Sequence, residues 1–249
     1  MNSIRVATYN VHKCIGLDGR CRPDRIAEVI REIGPDVIGL QEVLSIESGV
    51  SADNQAQYLS DKLGMHLAVG EVRRLRGGSY GNIVLSRFPL RSSCVHDLTV
   101  EGREQRGCLR SDVLLPSSQL LHVFNVHLGT AFLERRHQAR KLLEAELIRS
   151  RDLAGPRIVL GDFNEWTRGL VSRMLAAEFT GTDIRTHLGR SRTYPGVAPL
   201  MHLDHIYYDQ DLVVQRALLH KSMKAVLGSD HLPLVVEFRM GSAPPAQVS

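Results

Sequence analysis

Short apolar runs alternate with an amphipathic stretch at the start of the chain. The segments IRVATYNV and DVIGLQEV have the composition of buried strands, whereas PDRIAEVIREIG between them repeats apolar residues at helical spacing. Pro23 would lie in the first turn of this helix, and Gly34 followed by Pro35 would end it. A strand, a helix and a second strand in this order predict a βαβ opening.

The middle of the chain carries several strands in succession. NQAQYLSDKLG predicts a second helix, and five strand-like segments then follow without a helix between them: HLAVGEV, GNIVLSRFPL, SCVHDLTV, CLRSDVLL and LLHVFNVHL. Consecutive strands of this kind are expected to pair in antiparallel fashion. A long helix is predicted over FLERRHQARKLLEAELIRSRDL, in which Ala139, Leu142, Leu143 and Leu147 would share one buried face.

The last third returns to an alternation of strands and helices. RIVLGD predicts a strand, GLVSRMLAAE a short helix, and LDHIYY, LVVQRALLH and PLVVEF three further strands. No shift in composition, linker or internal repeat interrupts residues 1–240, so we predict one domain over this range. The tail at residues 241–249, GSAPPAQVS, lacks apolar anchors and is expected to be flexible. This order of elements favours a layered α/β sandwich.

Composition narrows the class of protein. The 249 residues are 43% hydrophobic and 23% charged, and no apolar run approaches the roughly 18 residues of a membrane span. The amino terminus runs into a strand pattern without a signal-like segment, which predicts a cytoplasmic protein. The four cysteines form no CxxC pair, so reduced thiols are expected. The net charge of +4 permits a polyanionic partner, but the basic segments EVRRLRGG and LERRHQARK are expected to be solvated faces.

Polar side chains stand where the apolar strands end. They are Asn10, Glu42, Asn125, His127, Asp162, Asn164, Asp204, Asp230 and His231. Because loops at strand ends converge in α/β folds while the sheet fixes their spacing, these groups are expected to form one site. Each could instead cap its own strand, but their number favours a site.

The chemistry of this set predicts a metal-dependent hydrolase. Glu42 and Asp162, with Asp230 as a further candidate, supply hard carboxylate oxygens, and Asn10 and Asn164 add amides, which suits Mg²⁺ or Mn²⁺ better than zinc. A histidine beside an aspartate can activate water, and a hard cation neutralises phosphoryl oxygens. The set therefore favours hydrolysis of a phosphate ester. The sequence contains no Gly-rich phosphate loop, HExxH or GxSxG motif for other chemistries.

Seven short sequence motifs carry a family resemblance: TYNVH, LQEV, GNIVLSR, NVHL, GDFN, LDHIYY and SDHLP. In this order, and over nearly the whole chain, they resemble the endonuclease/exonuclease/phosphatase superfamily of metal-dependent phosphohydrolases. Two further motifs, EQRG and RTYP, resemble those of its small bacterial stand-alone members. The resemblance implies an α/β fold, a four-layer αββα sandwich of two mixed β-sheets flanked by helices. It also implies Mg²⁺ as cofactor, with Mn²⁺ as an alternative.

The resemblance also implies a role for each matching position near the ion. Glu42 would be the principal metal ligand, Asn10 would lie near the same ion, and Asp230 would be a second metal ligand or a structural one. Asp162 would orient or deprotonate the attacking water. Asn164 would hold a phosphate oxygen or the ion.

The same resemblance implies roles for the histidines. His231 would be the general base or a stabiliser of the transition state, with Asp204 as its partner, and His127 would contact the phosphate. The roles of Asp162 and His231 could be exchanged, because either group could take the proton. Arg106 and Arg192 are candidate phosphate contacts, since a guanidinium can donate two parallel hydrogen bonds to phosphate oxygens.

The substrate stays open at this level. The leading prediction is a phosphodiester of DNA, RNA or a related molecule. A lipid phosphodiester of the sphingomyelinase type and a small phosphorylated metabolite are the alternatives, and a binding module without activity is the non-enzyme alternative. The apolar loop YPGVAPLMHL would suit a lipid enzyme. The sequence indicates no stable protein partner and leaves the oligomeric state open.

Four further polar residues are not assigned to the site. Glu165 is expected at the surface or behind the site, and Asn82 is expected to serve a turn. His202 and His205 are expected outside the site, because strand alternation points His205 away from the face that carries Asp204.

Overall fold

The computed structural model describes residues 3–47, 50–144, 147–150, 153–166, 169–179, 187, 192–198 and 200–240. The strands are β1 (Ser3–Asn10), β2 (Val37–Ser45), β3 (His66–Leu75), β4 (Gly78–Ser86), β5 (Leu90–Asp97), β6 (Gly107–Leu114), β7 (Leu120–His127), β8 (Arg157–Asp162), β9 (Asp204–Tyr208), β10 (Leu212–Leu219) and β11 (Leu234–Met240). The helices are α1 (Pro23–Ile33), α2 (Gln55–Leu63), α3 (Phe132–Leu142), α4 (Leu170–Glu178) and α5 (Met223–Gly228). The tail at residues 241–249 lies outside the described residues.

The first two helices form where the sequence predicts them. Pro23 opens α1, and Gly34 ends it with a φ of 58°, a left-handed conformation that glycine adopts without steric cost. Asn54 precedes α2, and its side-chain oxygen accepts a hydrogen bond from the backbone N–H of Gln57. Both helices therefore begin and end on signals in their own sequence.

The strands form two mixed sheets. The first has the order β10-β11-β1-β2-β4-β3, and the second has the order β5-β6-β7-β8-β9. β1 and β2 are parallel, as the βαβ opening requires, and β7 and β8 are parallel too. The remaining neighbours are antiparallel. The carboxyl ends of β1 and β8 meet at one edge, where Asn10 contacts Asp162.

Three apolar clusters separate four layers. The first cluster joins α1 and α2 to the outer face of the first sheet and contains Ile30 and Leu40. The second fills the space between the two sheets and contains Val6 and Leu160. The third joins α3 and α4 to the outer face of the second sheet and contains Phe124. The predicted four-layer αββα sandwich is confirmed.

The helices depart from the sequence prediction in two places. α3 ends at Leu142, well before the predicted end, yet Leu143 and Leu147 are buried in the same cluster as Ala139. The apolar spacing therefore indicated burial correctly and helical backbone incorrectly, because burial does not require one backbone conformation. α5 was not predicted, since six residues are too few to show a periodicity. None of the helices in the described ranges is both long and apolar enough to cross a membrane.

A buried amide bridge joins the two sheets beneath the edge where the polar residues collect. Nδ2 of Asn125 on β7 donates to the carbonyl oxygens of Leu40 (3.0 Å) and Ile83 (2.8 Å) on the first sheet. Its Oδ1 accepts from Nε2 of Gln41 at 2.7 Å. Asn82 on β4 donates to the carbonyl oxygen of Asn125 at 3.3 Å. The prediction that Asn82 serves a turn is therefore wrong, because it lies within a strand and joins the sheets.

A glycine allows the sheets to come this close. A Cβ atom at Gly39 on β2 would lie 2.3 Å from Cδ1 of Leu160 and 3.0 Å from Cγ of Asn125. A side chain at this position would displace Leu160 and crowd the amide of Asn125. The amide bridge therefore depends on the absence of a side chain at this position.

Replacing Asn125 by alanine should destabilise the fold strongly. The change would leave two carbonyl oxygens and the Gln41 amide without their present partners in the space between the sheets. Each unpaired buried polar group costs about 1–3 kcal/mol, so we expect the free energy of unfolding in urea to fall by about 3 kcal/mol or more. The control Ser93→Ala, exposed on β5, should change it by about 0.5 kcal/mol or less. An Asn125→Ala effect as small as that of the control would contradict a stabilising role for the bridge.

Candidate active site

The polar strand-end residues meet at one edge of the sandwich around an open cavity of about 450 Å³. Glu42, His127, Asp162, Asn164, Asp230 and His231 line it, together with Arg106. Asn10 and Asp204 lie directly behind this wall and contact it through hydrogen bonds. The first sheet and its connections supply Glu42 and His231, and the second sheet supplies Asp162. The cavity therefore exists only where the two sheets are packed together.

Glu42 is presented by an irregularity in β2. The register between β2 and β4 shifts between Leu40 and Val43, and Glu42 has a φ of 59°, which is uncommon for a residue with a side chain. An irregularity of this kind redirects a side chain from the regular alternation of a strand. The conformation costs about 1–3 kcal/mol and accompanies the placement of a carboxylate in the cavity.

Two donors hold the Glu42 carboxylate. Nδ2 of Asn10 donates to Oε1 over 3.1 Å, and Nζ of Lys13 lies 2.6 Å from Oε2. Burial alone would raise the pKa of Glu42, but the His127 and Lys13 charges and the Asn10 hydrogen bond lower it to about 2. Glu42 is therefore ionised at neutral pH.

Asp162 ends β8 and lies at the centre of the site. Gly161 before it has a φ of 140°, and a Cβ atom there would lie 1.9 Å from a carbonyl oxygen of β7, so a side chain is excluded. Oδ2 of Asp162 accepts a hydrogen bond from Nδ2 of Asn10 at 3.0 Å. The Nε2 atoms of His127 and His231 each lie 3.6 Å from the same oxygen. Three nitrogen-bearing side chains from both sheets thus surround one carboxylate oxygen.

Asn164 fixes the other oxygen of Asp162. Its backbone N–H donates to Oδ1 of Asp162 over 2.9 Å, and its Nδ2 donates to the carbonyl oxygen of Leu128 over 2.8 Å. Its φ of 49° lies in the left-handed region, which asparagine tolerates better than most residues. The turn after β8 therefore leaves Oδ2 to face the two histidines.

His231 is held between two carboxylates. Its Nδ1 lies 2.8 Å from Oδ2 of Asp204, both side chains are buried, and its Nε2 faces Asp162. Burial alone would lower the pKa of His231, but Asp204 and Asp162 raise it to about 10. The ring is therefore positively charged at neutral pH, with both nitrogens acting as donors.

His127 and Asp230 occupy other parts of the wall. Burial lowers the pKa of His127 below its usual value, so this ring is neutral at neutral pH. Asp230 lies 3.2 Å from Nδ1 of His12. Burial would raise the pKa of Asp230, but the hydrogen bond to His12 and the His231 charge lower it. The two histidines that line the cavity thus differ in charge because His231 has the additional contact with Asp204 at 2.8 Å, whereas Asp162 lies 3.6 Å from His127.

Two arginines share one glutamate on another side of the cavity. Oε2 of Glu104 accepts from Nη2 of Arg106 at 2.7 Å, and Oε1 lies 2.5 Å from Nη2 of Arg73. The Arg73 guanidinium lies over the Tyr80 ring, 4.8 Å from its centroid. Arg106 is buried, whereas Arg192 is exposed and does not line the cavity. The structure thus brings Arg106 to the site and leaves Arg192 outside it.

Several cavity residues were not predicted from the sequence. Arg73 belongs to a basic segment that was interpreted as a solvated face, and Tyr80 lies in a strand without any polar pattern. Glu104 stands two residues before Arg106 in the motif EQRG, and this motif was the one sequence feature that could have indicated Glu104. Tyr194 also lines the cavity and lies 5.0 Å from His231 between ring centroids.

Glu165 has a structural role that the sequence interpretation did not assign. It is buried, and its carboxylate accepts hydrogen bonds from the backbone N–H groups of Val171 (3.1 Å) and Ser172 (2.8 Å) in the first turn of α4. Its expected place at the surface is therefore wrong, because it satisfies the open donors of a helix start. His202 and His205 are buried but do not line the cavity.

The donors in the cavity fit a hard divalent cation. Within the described ranges, no three His, Cys, Asp or Glu side chains are grouped as a ready-made metal cage. Magnesium commonly binds through one or two carboxylates and completes its shell with water and substrate phosphate. Glu42 suits that mode, and Asp230 is a second carboxylate on the wall. In the present orientation Asn10 directs its Nδ2, not its oxygen, toward Glu42 and Asp162.

The charges on the wall also fit a divalent cation. The described side chains comprise three permanent cations and four carboxylates: Lys13, Arg73 and Arg106, and Glu42, Glu104, Asp162 and Asp230. Such a balance does not attract a phosphate anion by itself. With the charged ring of His231 the two signs are equal in number, and an added divalent charge would make the wall positive.

Three solved structures share this fold. An endonuclease/exonuclease/phosphatase from Beutenbergia cavernae has a TM-score of 0.79 and 25% identity, covering 99% of this chain and 74% of that chain. A mannosyl-6-phosphatase from Bacteroides thetaiotaomicron has a TM-score of 0.77 and 20% identity, covering 94% and 99%. The human Nocturnin catalytic domain with bound sulfate has a TM-score of 0.71 and 23% identity, covering 96% and 94%. The last two show a shared fold only.

The sequence comparisons identify the family. YbhP, an uncharacterized protein of Escherichia coli K12, is 30% identical over 251 residues, which cover 96% of this chain and 97% of YbhP. The model of the Endonuclease/Exonuclease/phosphatase family matches residues 7–231, a range that contains every candidate site residue named above. The family resemblance indicated by the sequence motifs is confirmed. The chain belongs to the endonuclease/exonuclease/phosphatase family.

Proposed function

We propose that this protein hydrolyses a phosphodiester by in-line attack of water, with Mg²⁺ as its cofactor. One observation carries the proposal: Oδ2 of Asp162 is held by Asn10 and lies 3.6 Å from Nε2 of both His127 and His231. A carboxylate in this position can orient a water molecule, while the adjacent rings donate to phosphoryl oxygens. Membership of a family whose members act on phosphoester bonds supports this reaction class.

Asp162 is the group we assign as the base. Both nitrogens of His231 face carboxylates, which favours the doubly protonated ring, and such a ring donates hydrogen bonds but accepts no proton. The attacking water would give its proton to Asp162 as the new O–P bond forms. The ester P–O bond opposite the water would break, and the leaving oxygen would take a proton from solvent. His231 and His127 would stabilise the charge on the phosphoryl oxygens.

Glu42 is the residue we assign to hold the ion. Its carboxylate is ionised and reaches the cavity, and Asp230 is available as a second carboxylate. A bound Mg²⁺ would neutralise charge on the phosphoryl oxygens. Lys13, with its Nζ 2.6 Å from Glu42, would keep that carboxylate in place.

The paired arginines favour a diester over a monoester. Arg73 and Arg106 both bind Glu104, so this part of the wall carries one net positive charge instead of two. One charge suits a singly charged phosphodiester better than a doubly charged monoester. Cytoplasmic location and nucleic acid as the substrate stay predictions from the sequence.

The purified protein should hydrolyse bis-p-nitrophenyl phosphate with Mg²⁺ or Mn²⁺ and lose this activity in EDTA. Asp162→Asn should lower kcat by about 10²–10⁴-fold, because the amide cannot accept the proton. The release of p-nitrophenolate measures both effects. Asp211→Asn, exposed before β10, should behave like the unchanged protein. Inactivity on every diester and monoester tried would contradict the proposal.

Asp204→Asn should separate the orientation of His231 from metal binding. The amide cannot balance the charged ring, so kcat should fall by about 10²–10⁴-fold. The dissociation constant for Mn²⁺, measured by titration of the protein without substrate, should stay unchanged because Asp204 does not line the cavity. Intact turnover in this variant would remove Asp204 from the mechanism.

Glu42→Gln should weaken metal binding directly. Loss of the one carboxylate that we assign as principal ligand should raise the Mn²⁺ dissociation constant by at least about tenfold in the same titration. Glu101→Gln, in an exposed connection, is the matched control. Equal Mn²⁺ affinity in the two variants would place the ion elsewhere.

A further inference from the structure

Large apolar side chains are exposed mainly at the end of the molecule that carries the cavity. Of the twelve in the described ranges, nine lie in connections and short helix ends at this end: Leu17, Val50, Phe132, Leu133, Trp166, Val197, Leu200, Met223 and Leu227. The other three lie within strands: Val69, Val95 and Val213. Single exposed apolar residues are common on soluble proteins, so their accumulation at one end is the informative observation.

Five of these residues lie in connections that also carry wall residues of the cavity, and we call them the apolar collar: Phe132, Leu133, Trp166, Val197 and Leu200. Between 55% and 72% of the surface of each is exposed. Trp166 forms part of the cavity wall, and Phe132 and Leu133 closely follow the wall residue Thr130. The collar therefore lies beside the part of the wall formed by Thr130, Trp166, Tyr194 and Met201.

The loop that carries Val197 and Leu200 is fixed by backbone hydrogen bonds. The N–H of Leu200 donates to the carbonyl oxygen of Tyr194 at 2.8 Å, and the N–H of Gly196 donates to that of Asp230 at 2.7 Å. Tyr194 and Asp230 both line the cavity. The apolar side chains of this loop are thus held outward beside the site.

Positive charge accompanies the apolar residues on α3. Phe132, Arg136 and Arg140 are exposed and stand four residues apart, so they follow one another along one face of the helix. An apolar tip followed by arginines is typical of surfaces that enter a bilayer and contact its anionic head groups. This face belongs to the basic segment LERRHQARK, which the proposed reaction does not use.

The composition of the collar distinguishes a lipid from a nucleic acid. Single-stranded nucleic acids bind aromatic platforms within a continuous basic groove. Leu133, Val197 and Leu200 are aliphatic and cannot stack on bases, and the arginines of the cavity wall are paired with Glu104. Aliphatic side chains beside a cavity that would bind a phosphodiester match a molecule that joins a phosphodiester to acyl chains.

We propose that the apolar collar docks this protein onto a lipid bilayer that contains anionic phospholipid. The second part of the inference rests on the proposed function: the phosphodiester that enters the cavity belongs to the head group of a membrane phospholipid. The collar lies in the membrane interface, and the phosphodiester reaches Asp162 from the bilayer surface.

Co-sedimentation with vesicles tests the docking. The protein should sediment with vesicles of phosphatidylcholine and phosphatidylglycerol, and less with phosphatidylcholine alone because the arginines then lack anionic partners. Leu133→Ser/Leu200→Ser should lower the partition coefficient by at least about tenfold, since two leucine side chains no longer leave water. Val213→Ser, exposed on β10 at the opposite end of the sheet, is the matched control and should bind as the unchanged protein does. Thermal unfolding of all three proteins checks that the fold is retained.

Release of the head group from the same vesicles tests the substrate class. Vesicle binding together with head-group release that falls in the Leu133→Ser/Leu200→Ser variant supports the inference. Hydrolysis of bis-p-nitrophenyl phosphate without vesicle binding overturns the inference and leaves the proposed function intact. Vesicle binding that is retained in Asp162→Asn, with no phosphoester hydrolysed by the unchanged protein, supports docking and rejects the proposed function. Loss of oligonucleotide cleavage in the collar variant, without vesicle binding by the unchanged protein, would overturn the inference in favour of nucleic acid.

Discussion

The hydrogen bonds of Asn125 hold the two sheets in one relative position, and the active site depends on that position. Its side chain pairs with Leu40 and Ile83 across the space between the sheets, where Gly39 permits close approach. The site is divided between the sheets, with Asn10 and His231 on one side and Asp162 and Asp204 on the other. The two contacts that join these halves span 3.0 and 2.8 Å, so a small shift between the sheets would break both.

The carboxylates of the cavity differ in the distance to their positively charged partners. Glu42 has Lys13 at 2.6 Å, Asp204 has the charged ring of His231 at 2.8 Å, and Glu104 has two arginines. Asp162 receives one amide hydrogen bond on Oδ2, and the two imidazoles stay at 3.6 Å. It is thus an acid with weak charge pairing at the centre of the site, which is consistent with its proposed role as the base.

The two ends of the sandwich differ in surface chemistry. The connections at the active-site end present the apolar collar, while the exposed large apolar residues elsewhere in the described ranges lie singly on strands. A rigid β-sandwich can carry such a collar because the core does not use these side chains for stability. Polar groups on strand ends and apolar residues on the neighbouring loops can therefore vary independently.

The sequence by itself determined the elements with local signals and predicted the residues of the candidate site. Pro23, Gly34 and Asn54 delimit their helices through backbone chemistry that needs no tertiary contact. The motifs GDFN and SDHLP indicated Asp162 and His231. Tertiary structure alone decided the burial of Glu165 over α4, the bridge formed by Asn82, and the arrival of Arg73 and Tyr80 at the cavity. It also decided the different charges of His127 and His231, and the exclusion of Arg192. Apart from the contact of Glu165 with α4, which spans only six and seven residues, these features arise from atoms far apart in the chain. The distance between such atoms is set only when the sheets and their connections pack together.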